Sequence, residues 1–191
     1  MPHPIHLSPA LLFPLMVLQC SAVQAGETQA QWLNAQRLAW NIPGVAIATI
    51  APGTAPEVLA SGLCNVEANQ ACAADSQFQI GSITKFFTGL TAATLAADKA
   101  LRLDEPVALR WPGFRLADAR WTEVTLRDLL SGRSGIGAVD WPYFWDPALT
   151  RRDYLARLRH QPLVRPFRAG WTYSNANFVA AGSYLEQMTG S

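Results

Sequence analysis

From Ser76 through Ala97 the only charged side chain is that of Lys85. A stretch this apolar must be covered by the rest of the fold, with its backbone hydrogen-bonded internally. Residues 82–98 meet that demand as a helix. Phe86, Phe87, Leu90, Ala93 and Ala97 recur at helical spacing and are expected to form its core stripe. The opposite side carries Ser82, Lys85, Gly89, Ala92 and Ala96, mostly small residues that permit close packing.

The chain has 191 residues, 50% of them hydrophobic, enough for one domain with a core. A net charge of +1 argues against nucleic acid as a partner, since that needs a basic footprint. The expected organisation is a leader over 1–25 and one domain over 26–191. ALLFPLMVL (10–18) is an apolar stretch too short to span a bilayer. VQA (23–25) places small residues before Gly26, where a signal peptidase cuts. The leader predicts a periplasmic or secreted protein. Cys20 does not mark a lipid site, because Gln19 is bulky and polar. Removal of the leader leaves Cys64 and Cys72, flanking the polar segment CNVEANQAC. In an exported protein this pair is expected to form a structural disulfide. Two cysteines and one remaining histidine do not make a four-ligand zinc site, so no metal and no cofactor is expected.

Residues 27–41 repeat Trp32, Leu33, Ala35, Leu38 and Ala39 at helical spacing, and Pro43-Gly44 ends that helix. VAIATIA (45–51) and EVLASGL (57–63), separated by PGTAP, read as a hairpin at one edge of an antiparallel sheet. VTLRDLLSGRSGI (124–136) is a short helix capped by Thr125 and ended by a Gly-rich turn. WPYFWDP (141–147) is an aromatic loop. TRRDYLARLRH (150–160) is an amphipathic helix capped by Thr150, and ANFVAAGSYLEQMTG (176–190) is the last helix. Either the fold is mostly helical with a small sheet, or strands that complete the sheet are missing.

Positions i and i+3 share a helix face, so Ser82 at the helix start lies beside Lys85. A buried lysine tends towards neutrality and can take the serine proton; a charged one stabilises the alkoxide. The helix N-terminus adds N–H groups for a developing oxyanion. The plain structural alternative is an N-cap serine with a lysine reaching solvent. A Ser-His-Asp plan fails on inventory: beyond the leader the chain holds only His160, at the end of a charged helix, and no Gly-x-Ser-x-Gly elbow. Tyr173-Ser174-Asn175 is the second constellation. Tyr173 offers a phenol as proton acceptor, and Asn175 an amide for a substrate carbonyl or for the lysine. A turn with a helix cap explains the same tripeptide without chemistry.

FQIGSITKFFTGL (78–90), VTLRDLLSGRSGI (124–136) and FRAGWTYSNANFVAAGSYLEQMTG (167–190), in that order, resemble successive blocks of the serine β-lactamase-related superfamily. Class C β-lactamases, related esterases and DD-peptidases are the most similar members. The resemblance implies an α/β (α+β) fold, an antiparallel sheet flanked by helices plus a helical lobe. It implies Ser82 as the acylated nucleophile, Lys85 as the aid to its deprotonation, Tyr173 as proton shuttle and Asn175 as the residue orienting substrate and lysine. The Ser82 N–H would be half of the oxyanion hole. The implied substrate is a β-lactam, an ester or a D-amino-acid peptide, small or derived from peptidoglycan.

Two departures accompany the resemblance. The family's third motif, Lys/His-Thr/Ser-Gly on a late strand, has no counterpart up to Ser191, so an N-terminal part without the C-terminal strands, and impaired, is expected. Gly132 stands where the family often has a histidine. The rival expectations are a pseudoenzyme or binding module that senses cell-wall fragments without turnover, and a truncated product without function.

Overall fold

The computed structural model describes residues 28–138, 146 and 148–190. The leader over 1–25 and most of the aromatic loop 141–147 lie outside the described residues. The chain divides into two compact units, one up to Gln79 and the other from Ile80 onwards.

The first unit builds a sheet with a helix on it. Helix α1 (Gln29–Ala39) starts at Thr28, whose hydroxyl accepts from the Gln31 N–H while the Gln31 side chain accepts from the Thr28 N–H. This reciprocal pairing satisfies two donors left open by helix geometry. Strands β1 (Gly44–Thr49), β2 (Glu57–Asn65) and β3 (Gln70–Ala71) form an antiparallel sheet in the order β1-β2-β3. Val45 pairs with Ser61 and Ile47 with Leu59. The expected hairpin is therefore present, with a short third strand added from the polar segment. Cys64 and Cys72 are disulfide-bonded, closing the β2–β3 turn. Leu33 is the buried residue of α1, whereas Leu38 is exposed. Arg37 also turns inwards: its Nε donates to Ser61 Oγ at 3.1 Å and its Nη1 to the Ile42 carbonyl. Gly44 is required at the start of β1, where a Cβ would lie 2.2 Å from the Leu63 carbonyl oxygen and 2.6 Å from Cys72 Sγ.

The second unit is helical. Helix α2 (Thr84–Ala97) follows a 3₁₀ turn over Gly81–Ile83. Then come α3 (Val107–Arg110), α4 (Leu126–Leu130), α5 (Arg151–Arg157) and α6 (Asn175–Thr189), the last closed by Gly190 in the left-handed conformation. Its core gathers Val107, Val124, Leu126, Leu129, Leu158 and Tyr184, each at most 2% exposed. Thr150 caps α5, and Thr125 caps α4 with Asp128 completing a reciprocal pair.

Helix α2 corrects the expected core stripe. Ala92 is fully buried and Leu95 and Ala96 are partly so, while Phe86 and Phe87 are 66% and 51% exposed. Leu90, Ala93 and Ala97 are also exposed. The small side is the packed side because α2 lies against α6, and close approach of two helices needs small residues at the contact.

Candidate active site

Ser82 lies in the 3₁₀ turn that opens α2, and Lys85 is in the first turn of the helix itself. The chain reaches this turn through Gly81 at φ +54°, a left-handed conformation that costs glycine little. Lys85 Nζ is 2.9 Å from Ser82 Oγ, to which it donates. The same Nζ donates to Asn175 Oδ1 at 2.5 Å. Tyr173 Oη and Ser82 Oγ share a hydrogen bond of 2.6 Å, in which either oxygen can donate. The Lys85 ammonium also lies 4.9 Å from the centroid of the Tyr173 ring, and cations are attracted to that face. All four expected site residues therefore meet at one place, although Ser82 and Tyr173 are 91 residues apart. Ser82 is exposed, Lys85 and Asn175 are half-buried and Tyr173 is 45% exposed, so the hydroxyl is open to a ligand. A cavity of about 470 Å³, lined in part by Thr84, Lys85, Asn175 and Phe178, adjoins the lysine and the asparagine.

Asn175 is the first residue of α6, so that helix sets where its amide falls. The segment before it is fastened to the loop 132–137. Val164 N–H donates to the Gly135 carbonyl, Arg168 N–H to that of Arg133, and Thr172 N–H to that of Gly132. Ser174 Oγ donates to the Gly137 carbonyl at 2.7 Å, and buried Ser134 donates to Asn177 Oδ1 at 2.6 Å. Gly132 has φ +66°, and a Cβ there would sit 2.8 Å from the Thr172 carbonyl oxygen. A side chain at 132, histidine included, conflicts with this backbone; glycine fits it.

Asp128 and Arg168 were not singled out in the sequence, yet they brace the same loop. Arg168 Nε and Nη2 grip the two Asp128 oxygens at 2.9 and 2.7 Å. Burial alone would raise the Asp128 pKa. Hydrogen bonds from Arg168 and Thr125 outweigh it and hold the carboxyl below the ordinary carboxylate range. The Thr-x-x-Asp spacing of a reciprocal cap marks Asp128 in the sequence; nothing local marks Arg168. Among the described residues no three His, Cys, Asp or Glu side chains cluster as metal ligands. No described helix is long and apolar enough to cross a membrane.

The Beta-lactamase family model matches residues 33–191, most of the chain. The chain belongs to the Beta-lactamase family. It is 40% identical over 111 residues to "Penicillin-binding protein 4" of Amycolatopsis lactamdurans, covering 56% of this chain and 29% of that protein. It is 32% identical over 152 residues to Esterase EstB of Burkholderia gladioli, covering 69% of this chain and 37% of that protein. The D-amino acid amidase of Ochrobactrum anthropi SV3, complexed with L-phenylalanine, superimposes with a TM-score of 0.69 and 27% identity, over 85% of this chain and 45% of the amidase. The α/β family fold is thus shared with a penicillin-binding protein, an esterase and an amidase. The matched part of the chain covers less than half the length of each.

Proposed function

We propose that this chain carries the acylating site of a serine hydrolase whose substrate is an ester, an amide of a D-amino acid or a β-lactam. The observation that carries the proposal is the double contact of Ser82 Oγ with Tyr173 Oη at 2.6 Å and Lys85 Nζ at 2.9 Å. A serine hydroxyl is a weak nucleophile until a base takes its proton and a cation steadies the oxygen. Here the Tyr173 oxygen, acting as phenolate, is the base, and the Lys85 ammonium, which Asn175 keeps in place, is the cation.

In the first half-reaction Ser82 Oγ attacks the substrate carbonyl carbon and its proton passes to the Tyr173 phenolate, which becomes a neutral phenol. The carbonyl oxygen becomes an oxyanion in the field of the first helical turn and its N–H groups. Collapse of the tetrahedral adduct breaks the bond to the leaving group, which takes the proton from Tyr173. Water then cleaves the acyl-serine ester by the same path in reverse. Lys85 Nζ stays hydrogen-bonded to Ser82 Oγ and 4.9 Å from the centroid of the Tyr173 ring. The names of the relatives, an esterase, a penicillin-binding protein and an amidase, suggest the three substrate classes.

Steady-state hydrolysis of a nitrophenyl ester, a D-phenylalanine amide and a penicillin by the full-length protein tests this. The expected result is turnover of at least one class, abolished by Ser82→Ala. Equilibrium binding with no turnover of any class supports the non-catalytic rival instead. The disulfide between Cys64 and Cys72 fits an oxidising compartment, and we place the working protein outside the cytosol. N-terminal sequencing of the secreted form is expected to begin at Gly26.

A further inference from the structure

Ser174 occupies the N-cap position of α6 with extended backbone angles, φ −156° and ψ +125°. A serine there ordinarily turns its hydroxyl onto the N–H groups of the first helical turn. This one makes no capping bond. The residue is 2% exposed, and its hydroxyl donates instead to the carbonyl of Gly137, 37 residues away, at 2.7 Å. On the other side of Tyr173, the Thr172 N–H donates to the Gly132 carbonyl at 2.9 Å. Tyr173 is therefore straddled by two bonds to one loop. That loop is itself fastened to α6, because Ser134 donates to Asn177 at 2.6 Å and accepts from the Ile136 N–H at 3.1 Å.

We propose that Ser174 is the positioning residue for Tyr173, acting through the hydrogen bond from its hydroxyl to the Gly137 carbonyl. This rests on the hydrolase reading above. Tyr173 is 45% exposed, so its placement rests on its backbone as well as on its contacts with Ser82 and Lys85. The phenol oxygen lies roughly 6.5 Å from its own Cα, so a backbone swing of about 10° displaces it by about 1 Å, a misplacement that can cost about 10²-fold in rate. The loop holds residue 173 against that swing, and the helix gives up a side-chain cap for it.

The test is ester hydrolysis by the full-length protein in four forms: wild type, Ser174→Ala, Tyr173→Phe and the double variant. Ser174→Gly is a second hydroxyl-free form, since glycine is tolerated at an N-cap. Removal of the hydroxyl is expected to lower kcat about 10- to 100-fold with KM within about twofold, because Tyr173 moves a proton rather than holding substrate. In the Tyr173→Phe background the same change is expected to cost less than about twofold. Ser174→Thr keeps the hydroxyl and is expected to recover most of the lost rate. Wild-type kcat in both hydroxyl-free variants, an equal loss in the Tyr173→Phe background, a loss carried by KM, or a threonine as slow as the alanine overturns the proposal. A wild type whose turnover does not depend on Ser82 overturns the hydrolase reading and this with it. Ser82-dependent turnover unaffected at position 174 overturns this proposal alone.

Discussion

At the scale of single residues, each member of the site has its own signature. Tyr173→Phe removes the proposed proton acceptor and leaves the ring, so kcat is expected to fall about 10²–10⁴-fold in ester hydrolysis. Asn175→Ala removes the acceptor that holds Lys85 Nζ, a bond to a charged group worth about 1.5–3 kcal/mol, or about 10- to 150-fold in kcat/KM. Unchanged kinetics in either variant contradict the assigned role. Gly132→Ala forces a Cβ against the Thr172 carbonyl at φ +66°, and a cost of about 1–3 kcal/mol by denaturant unfolding is expected. The Ser82–Lys85 pairing was legible because i and i+3 positions share a helix face. The meeting with Tyr173 was not legible from spacing, since it joins positions 91 residues apart, and it came only with the family's ordered blocks. The Ser174–Gly137 bond escaped sequence reasoning because a serine before a helix reads locally as its cap.

At the scale of elements, helix α2 shows where pattern runs out. Its residues are apolar or small nearly all round, so periodicity alone cannot say which face packs. The contact with α6 decides it, and that is a tertiary fact. Ala92, fully buried, is the sensitive position: Ala92→Leu overpacks the contact and is expected to cost about 1–3 kcal/mol of stability in thermal or urea unfolding. A neutral Ala92→Leu contradicts the packing described. The β1–β2 hairpin was readable from the β-branched run 45–51, the extended run 57–63 and the Pro-Gly turn between them. The short β3 was not, because two residues in a polar segment carry no pattern. The disulfide closes a short loop there, with a sequence separation of 8. Replacing both cysteines by serine is expected to lower stability by about 2–3 kcal/mol, mostly by freeing the unfolded chain.

At the scale of the whole molecule, acid sensitivity follows from Asp128. Its carboxyl is held below the ordinary carboxylate range in the folded state, burial opposing and the Arg168 and Thr125 hydrogen bonds prevailing. A depressed folded pKa contributes stability that is complete above the unfolded pKa. That contribution is lost as pH falls through the folded pKa. Melting temperature is therefore expected to drop on the acid side, and Asp128→Asn should flatten that limb. Parallel acid limbs in the two proteins contradict the assignment. Because Asp128 and Arg168 brace the segment leading to Tyr173, the acid transition is expected to take site geometry with it.

The central claim is that Ser82 Oγ is the atom that becomes acylated because Tyr173 and Lys85 converge on it. The most direct measurement is the intact mass of the full-length protein after exposure to an organophosphonate ester, with the adduct located by peptide fragmentation. The account predicts one adduct, on Ser82, absent in Ser82→Ala and formed far more slowly in Tyr173→Phe. No adduct, or one that persists in Ser82→Ala, contradicts it.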